Sequence, residues 1–345
     1  MADYRHLTED RPAAGGEAMR WMAAAVFLQS WGPVAVAVTV ADVDPLAFQV
    51  WYMTALTLVY VGYIGAIAPA LLQQLSPLRW IVTRIPTAAG LRATVNGTGW
   101  VMFAAAARYL DTAVVTVLAG GWLVLFVVTR RRQAGGRYRP LTGGEWILLL
   151  AALVGGGLVT LSQTDAGILT EAAAEALWGV ALAGGAALAW AWLAYRFQLG
   201  TELHRLTAGG VRQGTLSRPV SSEVACVLAV SAVLNLPGVA VAAAAAAVGG
   251  ASWGVSAPVG GVPAAVWAVV GGVVGGLGSV AFRHANLSTQ TLTVNALQYL
   301  RPPLSLLWLA VLVGLTVARP TFLWVGAAAV VVSNALLHAA AFRDR

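Results

Sequence analysis

Ten long apolar segments, with very few charges inside them, set the limits on how this chain can fold. They run approximately over residues 20–41, 47–71, 86–107, 111–129, 145–163, 175–196, 222–248, 263–283, 288–315 and 319–341. Each is long enough, or nearly so, to cross about 30 Å of hydrocarbon as a helix. The apolar runs are continuous, whereas the strands of a β-barrel alternate apolar and polar residues. The sequence therefore predicts an all-α membrane protein with ten transmembrane helices.

Composition excludes several other classes of protein. The chain has 345 residues, of which 59% are hydrophobic and only 10% are charged, whereas soluble domains carry roughly 25% charged residues. The single cysteine excludes a disulfide within the chain and a cysteine-based metal cluster. The net charge of +7 comes from arginines in short loops, so no nucleic acid partner is expected. We expect no cofactor and no metal.

The arginines predict the orientation of the chain in the membrane. All basic residues are arginines, and with the N-terminus in the cytoplasm all but four of them fall on the cytoplasmic side. The four exceptions are Arg92, Arg108, Arg301 and Arg319. This asymmetry follows the positive-inside rule. It predicts a multi-pass protein of the cell's inner (plasma) membrane with both termini cytoplasmic and residues 1–19 as a cytoplasmic tail.

Two halves of the chain follow the same plan. Residues 20–170 and 171–345 each contain five segments, and the third and fourth of each half are joined by a short turn, "AAAARYLDTAVVTV" and "SVAFRHANLSTQTLTV". Because five is odd, the halves enter the membrane from opposite sides, which predicts an inverted repeat. The polar stretch 197–222 is expected to be a cytoplasmic connecting loop.

Four stretches resemble one known family. They are "LQSWGPVAVAV", "DVDPLAFQVWYMTALTLVY", "LWGVALAGGAALAWAWLAYRF" and "FRHANLSTQTLTVNALQYLRPPLSLLWLAVLVG". Their order resembles the drug/metabolite transporter superfamily, in its EamA-like branch with two five-helix repeats. The resemblance implies a permease that works by alternating access. It also implies a ninth helix bent by Pro302 and Pro303, whereas the fourth segment has Gly120-Gly121 near the matching place.

One polar stripe is the first candidate for a substrate-facing surface. Asn295, Gln298 and Arg301 are spaced three apart and share a helical face. Such a stripe should turn away from lipid, toward the bundle interior or a water-filled cavity. Arg301 would bind an anionic or carboxylate-bearing group of a substrate, or else pair with groups of the protein itself.

Further polar and aromatic residues within the segments are candidates for a cavity lining. Gln29, Gln49, Asn96 and Asn235 would either line it or form hydrogen bonds between helices. Trp31 and Trp100 would either face a solute or pack against neighbouring helices. The stretch "GGVVGG" at 271–276 predicts a close approach between two helices.

The acidic residues bear on energy coupling. No aspartate or glutamate lies in the interior of any segment, whereas proton-coupled antiporters usually need a carboxylate within the membrane. The sequence therefore favours facilitated diffusion or solute exchange. His284 and His338, near segment ends, stay open as proton carriers.

These patterns favour a secondary transporter, an efflux permease or facilitator, for a small amphipathic metabolite or drug-like compound. Its partners would be that solute and the lipid bilayer, and it would be a monomer or a homodimer. One alternative is a membrane-embedded enzyme such as a lipid-linked transferase, for which Asp42 and Asp44 form the nearest acidic cluster, although they also fit a turn before Pro45. Another is a sensor or scaffold.

Overall fold

Helices make up nearly all of the described structure. A computed structural model of the protein describes residues 15–74, 87–120, 142–162, 171–196, 220–255, 258–259, 261–288, 297–314 and 318–343. The α-helices are α1 (Gly15–Gln29), α2 (Gly32–Thr39), α3 (Pro45–Ile67), α4 (Pro69–Gln74), α5 (Thr87–Ala106), α6 (Thr112–Gly120), α7 (Gly143–Leu161), α8 (Glu171–Arg196), α9 (Val220–Val248), α10 (Ala264–Ser288), α11 (Arg301–Leu312) and α12 (Pro320–Arg343). A 3₁₀ turn, Leu297–Leu300, leads into α11, and an antiparallel hairpin of β1 (Pro258–Val259) and β2 (Val262–Pro263) precedes α10.

The all-α membrane class is confirmed at a coarse level. Among the described residues, five helical stretches are long and apolar enough to cross a bilayer. They are Gly16–Thr39, Pro45–Ile67, Val220–Val248, Ala264–Ala285 and Pro320–Leu337. Three shorter apolar helices are Gly143–Val159, Glu175–Trp190 and Arg301–Leu312.

Large apolar side chains on the outside of the bundle agree with a lipid environment. Leu153, Leu177 and Val311 are between 68% and 72% exposed, and they lie on three different helices. A water-soluble protein rarely leaves so many large apolar groups uncovered. The protein is therefore embedded in a membrane.

Each predicted apolar segment overlaps at least one described helix, but ten crossings stay a prediction. The described part of the fourth segment, α6, has nine residues and would extend only about 14 Å. Its continuation, 121–129, lies outside the described residues, as do the tail 1–14 and the loop 197–219. The boundary between the two halves at residues 170 and 171 also stays a prediction.

Acidic residues cap helices at the places where apolar segments begin. The Asp44 carboxylate accepts a hydrogen bond from the Leu46 amide at 2.9 Å, and Pro45 occupies the first turn of α3. Asp111 accepts from the Ala113 amide at 2.7 Å at the start of α6. These contacts satisfy amides that a helix leaves without an internal partner. The turn predicted at Asp42–Pro45 is confirmed.

The helix pairs form a pattern that survives exchange of the two halves of the chain. When the halves are exchanged, the contact of α1 with α10 becomes the contact of α8 with α5. The contact of α3 with α10 becomes the contact of α9 with α5. The pairs α3–α9, α6–α11 and α7–α12 join equivalent positions of the two halves. An exchange of the first five segments with the last five therefore maps most of the contacts onto one another.

Glycines let α10 lie directly on α3, as the "GGVVGG" stretch predicted. A Cβ at Gly272 would collide with the Tyr52 carbonyl oxygen, and one at Gly275 would collide with the Tyr52 hydroxyl. Gly276 is close to the Leu56 carbonyl. Only a residue without a side chain fits such an approach between helix backbones.

Candidate functional site

A small internal cavity lies where helices of both halves meet. It offers about 50 Å³ to the centres of water molecules, which is room for a few waters or one small chemical group. It is lined by Met22, Ala25, Val26, Gln29, Pro33, Trp100, Phe103, Thr116, Ala119, Gly120, Trp190, Phe282, Arg301, Pro302 and Ser305. These residues come from seven helices, so both halves of the chain contribute to the cavity.

Arg301 is the one charged residue among these lining residues. It is half-buried, and its Nη1 donates a long hydrogen bond of 3.4 Å to Oε1 of Gln29. In the described parts of the chain, no carboxylate forms an ion pair with it. An arginine within a membrane is costly and is usually paired or turned toward water. Arg301 therefore leaves a positive site that a further group in the cavity can use.

The two prolines after Arg301 explain how a helix can begin beside this cavity. Arg301 starts α11, and Pro302 and Pro303 follow in its first turn, directly after the 3₁₀ turn. The first amides of a helix have no acceptor within the helix, and in apolar surroundings an unsatisfied amide is expensive. Proline has no amide hydrogen. The proline pair therefore removes two donors that would otherwise need a partner there.

The first half of the chain also has an interrupted helix beside the cavity. Helix α1 ends at Gln29, and α2 begins at Gly32 with Pro33 in its first turn. The Ser30 hydroxyl donates to the Phe27 carbonyl at 2.6 Å, which satisfies an acceptor at the end of α1. Gln29 and Pro33, on either side of the break, both line the cavity. Interrupted helices often form the binding sites of transporters.

The two interrupted helices are joined by two hydrogen bonds and a ring contact. Arg301 reaches Gln29, and the indole Nε1 of Trp308 donates to Oγ of Ser30 at 3.0 Å. Trp308 also packs against Trp31, with ring centroids 5.2 Å apart. The irregular parts of α1–α2 and α11 thus form one interface beside the cavity.

Aromatic rings form another part of the lining. Trp100 packs edge-on against Trp190, with centroids 5.3 Å apart, and Phe103 lies 5.8 Å from each of them. A Cβ at Gly99 would meet the Trp190 indole at 2.5 Å, so this ring lies directly on the backbone of α5. Tyr52 packs behind Trp100 at 4.5 Å. The rings are held by neighbours on several sides and present a fixed apolar surface.

The structure brings some of the predicted site residues together and separates others. Arg301, Gln29 and Trp100 line the cavity. Trp31 packs against Trp308 next to it. Gln49 is buried against Gly97 of α5, outside the described lining. Asn235 donates to the Thr57 hydroxyl at 3.1 Å, which is a hydrogen bond between α9 and α3.

The other predicted polar residues cannot be assigned a contact. Asn96 lies in α5 and Gln298 in the 3₁₀ turn, but their side chains are outside the described part of the structure, and Asn295 lies outside it altogether. Sequence reasoning did not single out Ser305, Thr116 or Phe103, which line the cavity. Ser305 follows Arg301 by four residues and could have been found by extending the helical face. Thr116 and Phe103 carry no such signal.

A cluster at the opposite end of α2 joins the turns of both halves. We call it the turn cluster; it contains Val43, Asp44, Arg108, Ser252 and Trp253. Arg108 pairs with Asp44 at 3.7 Å and donates to the Val43 carbonyl at 3.3 Å. The Asp44 amide donates to the Ser252 carbonyl at 2.8 Å. In the predicted orientation this cluster lies on the outer side, and it ties three turns together.

A second cluster lies near the other end of the bundle. The Tyr63 hydroxyl lies 2.6 Å from Nε2 of His284, and Trp21 stacks on the His284 ring with centroids 4.4 Å apart. Trp21 also donates to the Glu17 carboxylate at 3.3 Å. His284 therefore forms part of the contact between α1, α3 and α10.

Comparison with known proteins gives a likeness of fold. No protein-family model matches the chain, and no curated protein matches its sequence. One solved structure, known simply as "Crystal structure of protein", is similar to it with a TM-score of 0.56 and 20% sequence identity. The likeness covers 95% of this chain and 98% of the other, so it concerns the arrangement of helices along nearly the whole length of both.

Proposed function

We propose that this protein is a secondary transporter, an exporter or facilitator, that moves a small amphipathic metabolite or drug-like compound by alternating access. The observation that carries the proposal is the contact between Arg301 and Gln29 across the cavity lining. An arginine inside an apolar bundle is unfavourable unless its charge is compensated. A solute bound in the cavity beside the interrupted helix would supply that compensation.

The pairing of helices supports an inverted repeat of five plus five segments. The contacts α1–α10 and α5–α8 exchange with each other when the halves are exchanged, and α7–α12 maps onto itself. Such symmetry gives a transporter two related conformations, each open to one side of the membrane. The turn cluster would close the outer side in the conformation described here, with both termini in the cytoplasm.

A further part of the proposal concerns whether movement of the solute is coupled to movement of protons. Three described acidic residues at segment ends, Asp44, Asp111 and Glu145, accept hydrogen bonds from backbone amides at helix starts, and the lining contains no carboxylate among its described members. Facilitated diffusion or solute exchange therefore fits the cavity better than obligatory proton exchange.

The test uses purified full-length protein in proteoliposomes with a panel of amino acids, organic acids and drug-like compounds. We expect saturable movement of at least one compound, with and without a pH gradient, and a loss of movement in Arg301→Ala. Protein that folds but moves none of the panel would contradict transport. Movement that requires a pH gradient would contradict facilitated diffusion alone.

A further inference from the structure

The charges of the cavity lining restrict the chemical class of the solute that the proposed transporter would move. We infer that the transported solute is a compact monoanion with an aromatic body, whose carboxylate binds Arg301 and whose ring packs on Trp100, Phe103 and Trp190. The inference rests on the proposed transport function and assigns a substrate class to the same site.

The first support is the balance of charge among the lining residues. Arg301 is positive, and the remaining polar residues of the described lining, Gln29, Thr116 and Ser305, are neutral. A monoanion would neutralise the site. A carboxylate also matches the planar, forked donors of a guanidinium, which can give it two parallel hydrogen bonds.

The second support is the way Arg301 is held. Its Nη1 donates one hydrogen bond to Oε1 of Gln29, at the long distance of 3.4 Å. A guanidinium has five donors, and among the described residues no second hydrogen bond of this group is found, so donors remain for a solute. Gln29 fixes the direction of the group without cancelling its charge, because an amide oxygen is neutral.

The third support is the aromatic surface in the same cavity. Trp100, Phe103 and Trp190 contact one another at centroid distances of 5.3 to 5.8 Å, and glycines on α2 and α5 let the two indoles lie against helix backbones. Rigid rings offer a planar solute contact area at a low entropic cost. The cavity as described holds only a few waters, so entry of a ring would require the helices around it to separate, which the proposed alternating access provides.

The same features disfavour three other kinds of solute. A cation would meet Arg301 with no described lining carboxylate to bind it. A zwitterionic amino acid would place its ammonium group in the same unfavourable field. A phosphate dianion would retain an uncompensated negative charge in apolar surroundings.

Three compounds with the same ring and chain test the inference: 3-phenylpropanoate, L-phenylalanine and 2-phenylethylamine. Binding to the full-length protein and counterflow into proteoliposomes would be measured above neutral pH, with uptake by protein-free vesicles subtracted. We expect 3-phenylpropanoate to bind and move at least about tenfold better than the other two, since a tenfold ratio corresponds to one good polar contact.

Variants assign the effect to the guanidinium. Arg301→Gln should abolish the preference for the anion, and Arg301→Lys should keep part of it, because the charge remains while the fork is lost. Arg319→Gln is the matched control, since Arg319 is exposed and lies over Phe322 outside the described lining. If Arg301→Gln does not fold, Arg301→Lys and the comparison of the three compounds in the unchanged protein still decide the matter.

The outcomes separate the two proposals. Preferred movement of phenylalanine or phenylethylamine would overturn the substrate class and leave transport standing. An unchanged preference in Arg301→Gln would overturn the role of Arg301. Absence of movement of these three compounds, together with the whole broader panel, would overturn both transport and the substrate class.

Discussion

Gly155 of α7 and Gly326 of α12 lie face to face with their backbones in contact. A Cβ added to Gly155 would stand 2.7 Å from the carbonyl oxygen of Gly326, and one added to Gly326 would stand 2.5 Å from the carbonyl oxygen of Gly155. Helices of a membrane protein gain stability from such close approach, because lipid tails offer no hydrophobic drive between them. The contact also joins equivalent helices of the two predicted halves.

Alanine at these positions should separate a packing effect from a helix-propensity effect. Gly155→Ala should lower the free energy of unfolding by about 1–3 kcal/mol, as overpacked sites do. Gly157→Ala, in the same helix but with open space around the new methyl group, should be neutral or raise stability by up to about 1 kcal/mol. Unfolding of the detergent-solubilised protein measures both. Equal effects of the two variants would contradict the backbone contact.

The hydrogen bond between Trp308 and Ser30 should couple the two interrupted helices energetically. A double-mutant cycle with Ser30→Ala and Trp308→Phe should give a coupling free energy of about 0.6 kcal/mol, and no more than about 1.7 kcal/mol, the range known for hydrogen bonds between membrane helices. Trp324→Phe, on an exposed residue of α12, should be additive with Ser30→Ala. A cycle that closes to zero would mean that the bond is not formed in the membrane.

Asp44 allows its capping role to be separated from its charge. Asp44→Asn keeps a good cap for α3 but removes the ion pair with Arg108, and should cost less than about 1 kcal/mol, as exposed pairs do. Asp44→Ala should cost about 1 kcal/mol more, because the Leu46 amide loses its acceptor. Thermal unfolding distinguishes the variants. If both substitutions cost the same, the carboxylate does not act as a cap.

The orientation can be tested with one engineered cysteine at each end of the bundle. In a Cys226→Ala background, Ser252→Cys should react with a membrane-impermeant maleimide added to intact cells. Gly16→Cys, at the start of α1, should react only after the cells are permeabilised. Both positions are exposed, and the positive-inside rule predicts the difference. The reverse pattern would contradict a cytoplasmic N-terminus.

Much of the helical framework could be predicted because membrane helices are specified locally. The length of each apolar segment sets where a helix can cross the bilayer, and the caps at Asp44 and Asp111 can be read from a few residues. The close contact of Gly272 with Tyr52 follows from glycine spacing. These features depend on neighbours along the chain or on one facing helix.

The arrangement of the site was harder to predict. A polar side chain is expected to avoid lipid, but its polarity does not show which interior surface of the bundle it will face. Gln29 and Gln49 look alike in sequence, yet the first lines the cavity and the second is buried against Gly97. The break after Gln29 carried a local signal in Gly32-Pro33, whereas its contact with Trp308 depends on two helices far apart in the chain. The carbonyl of Trp253 accepts a hydrogen bond from the Trp51 indole at 3.2 Å, and this contact too depends on two segments far apart in the chain.

The contact of Arg301 with Gln29 has a consequence for how binding and movement are linked. The two residues belong to different halves of the chain. Their hydrogen bond therefore holds only while α1 and α11 keep their present positions relative to each other. A solute bound there would contact α1 and α11 at the same time. In the proposed transport cycle, its affinity should then differ between the two conformations, and that difference would set how far the solute can drive the change from one to the other.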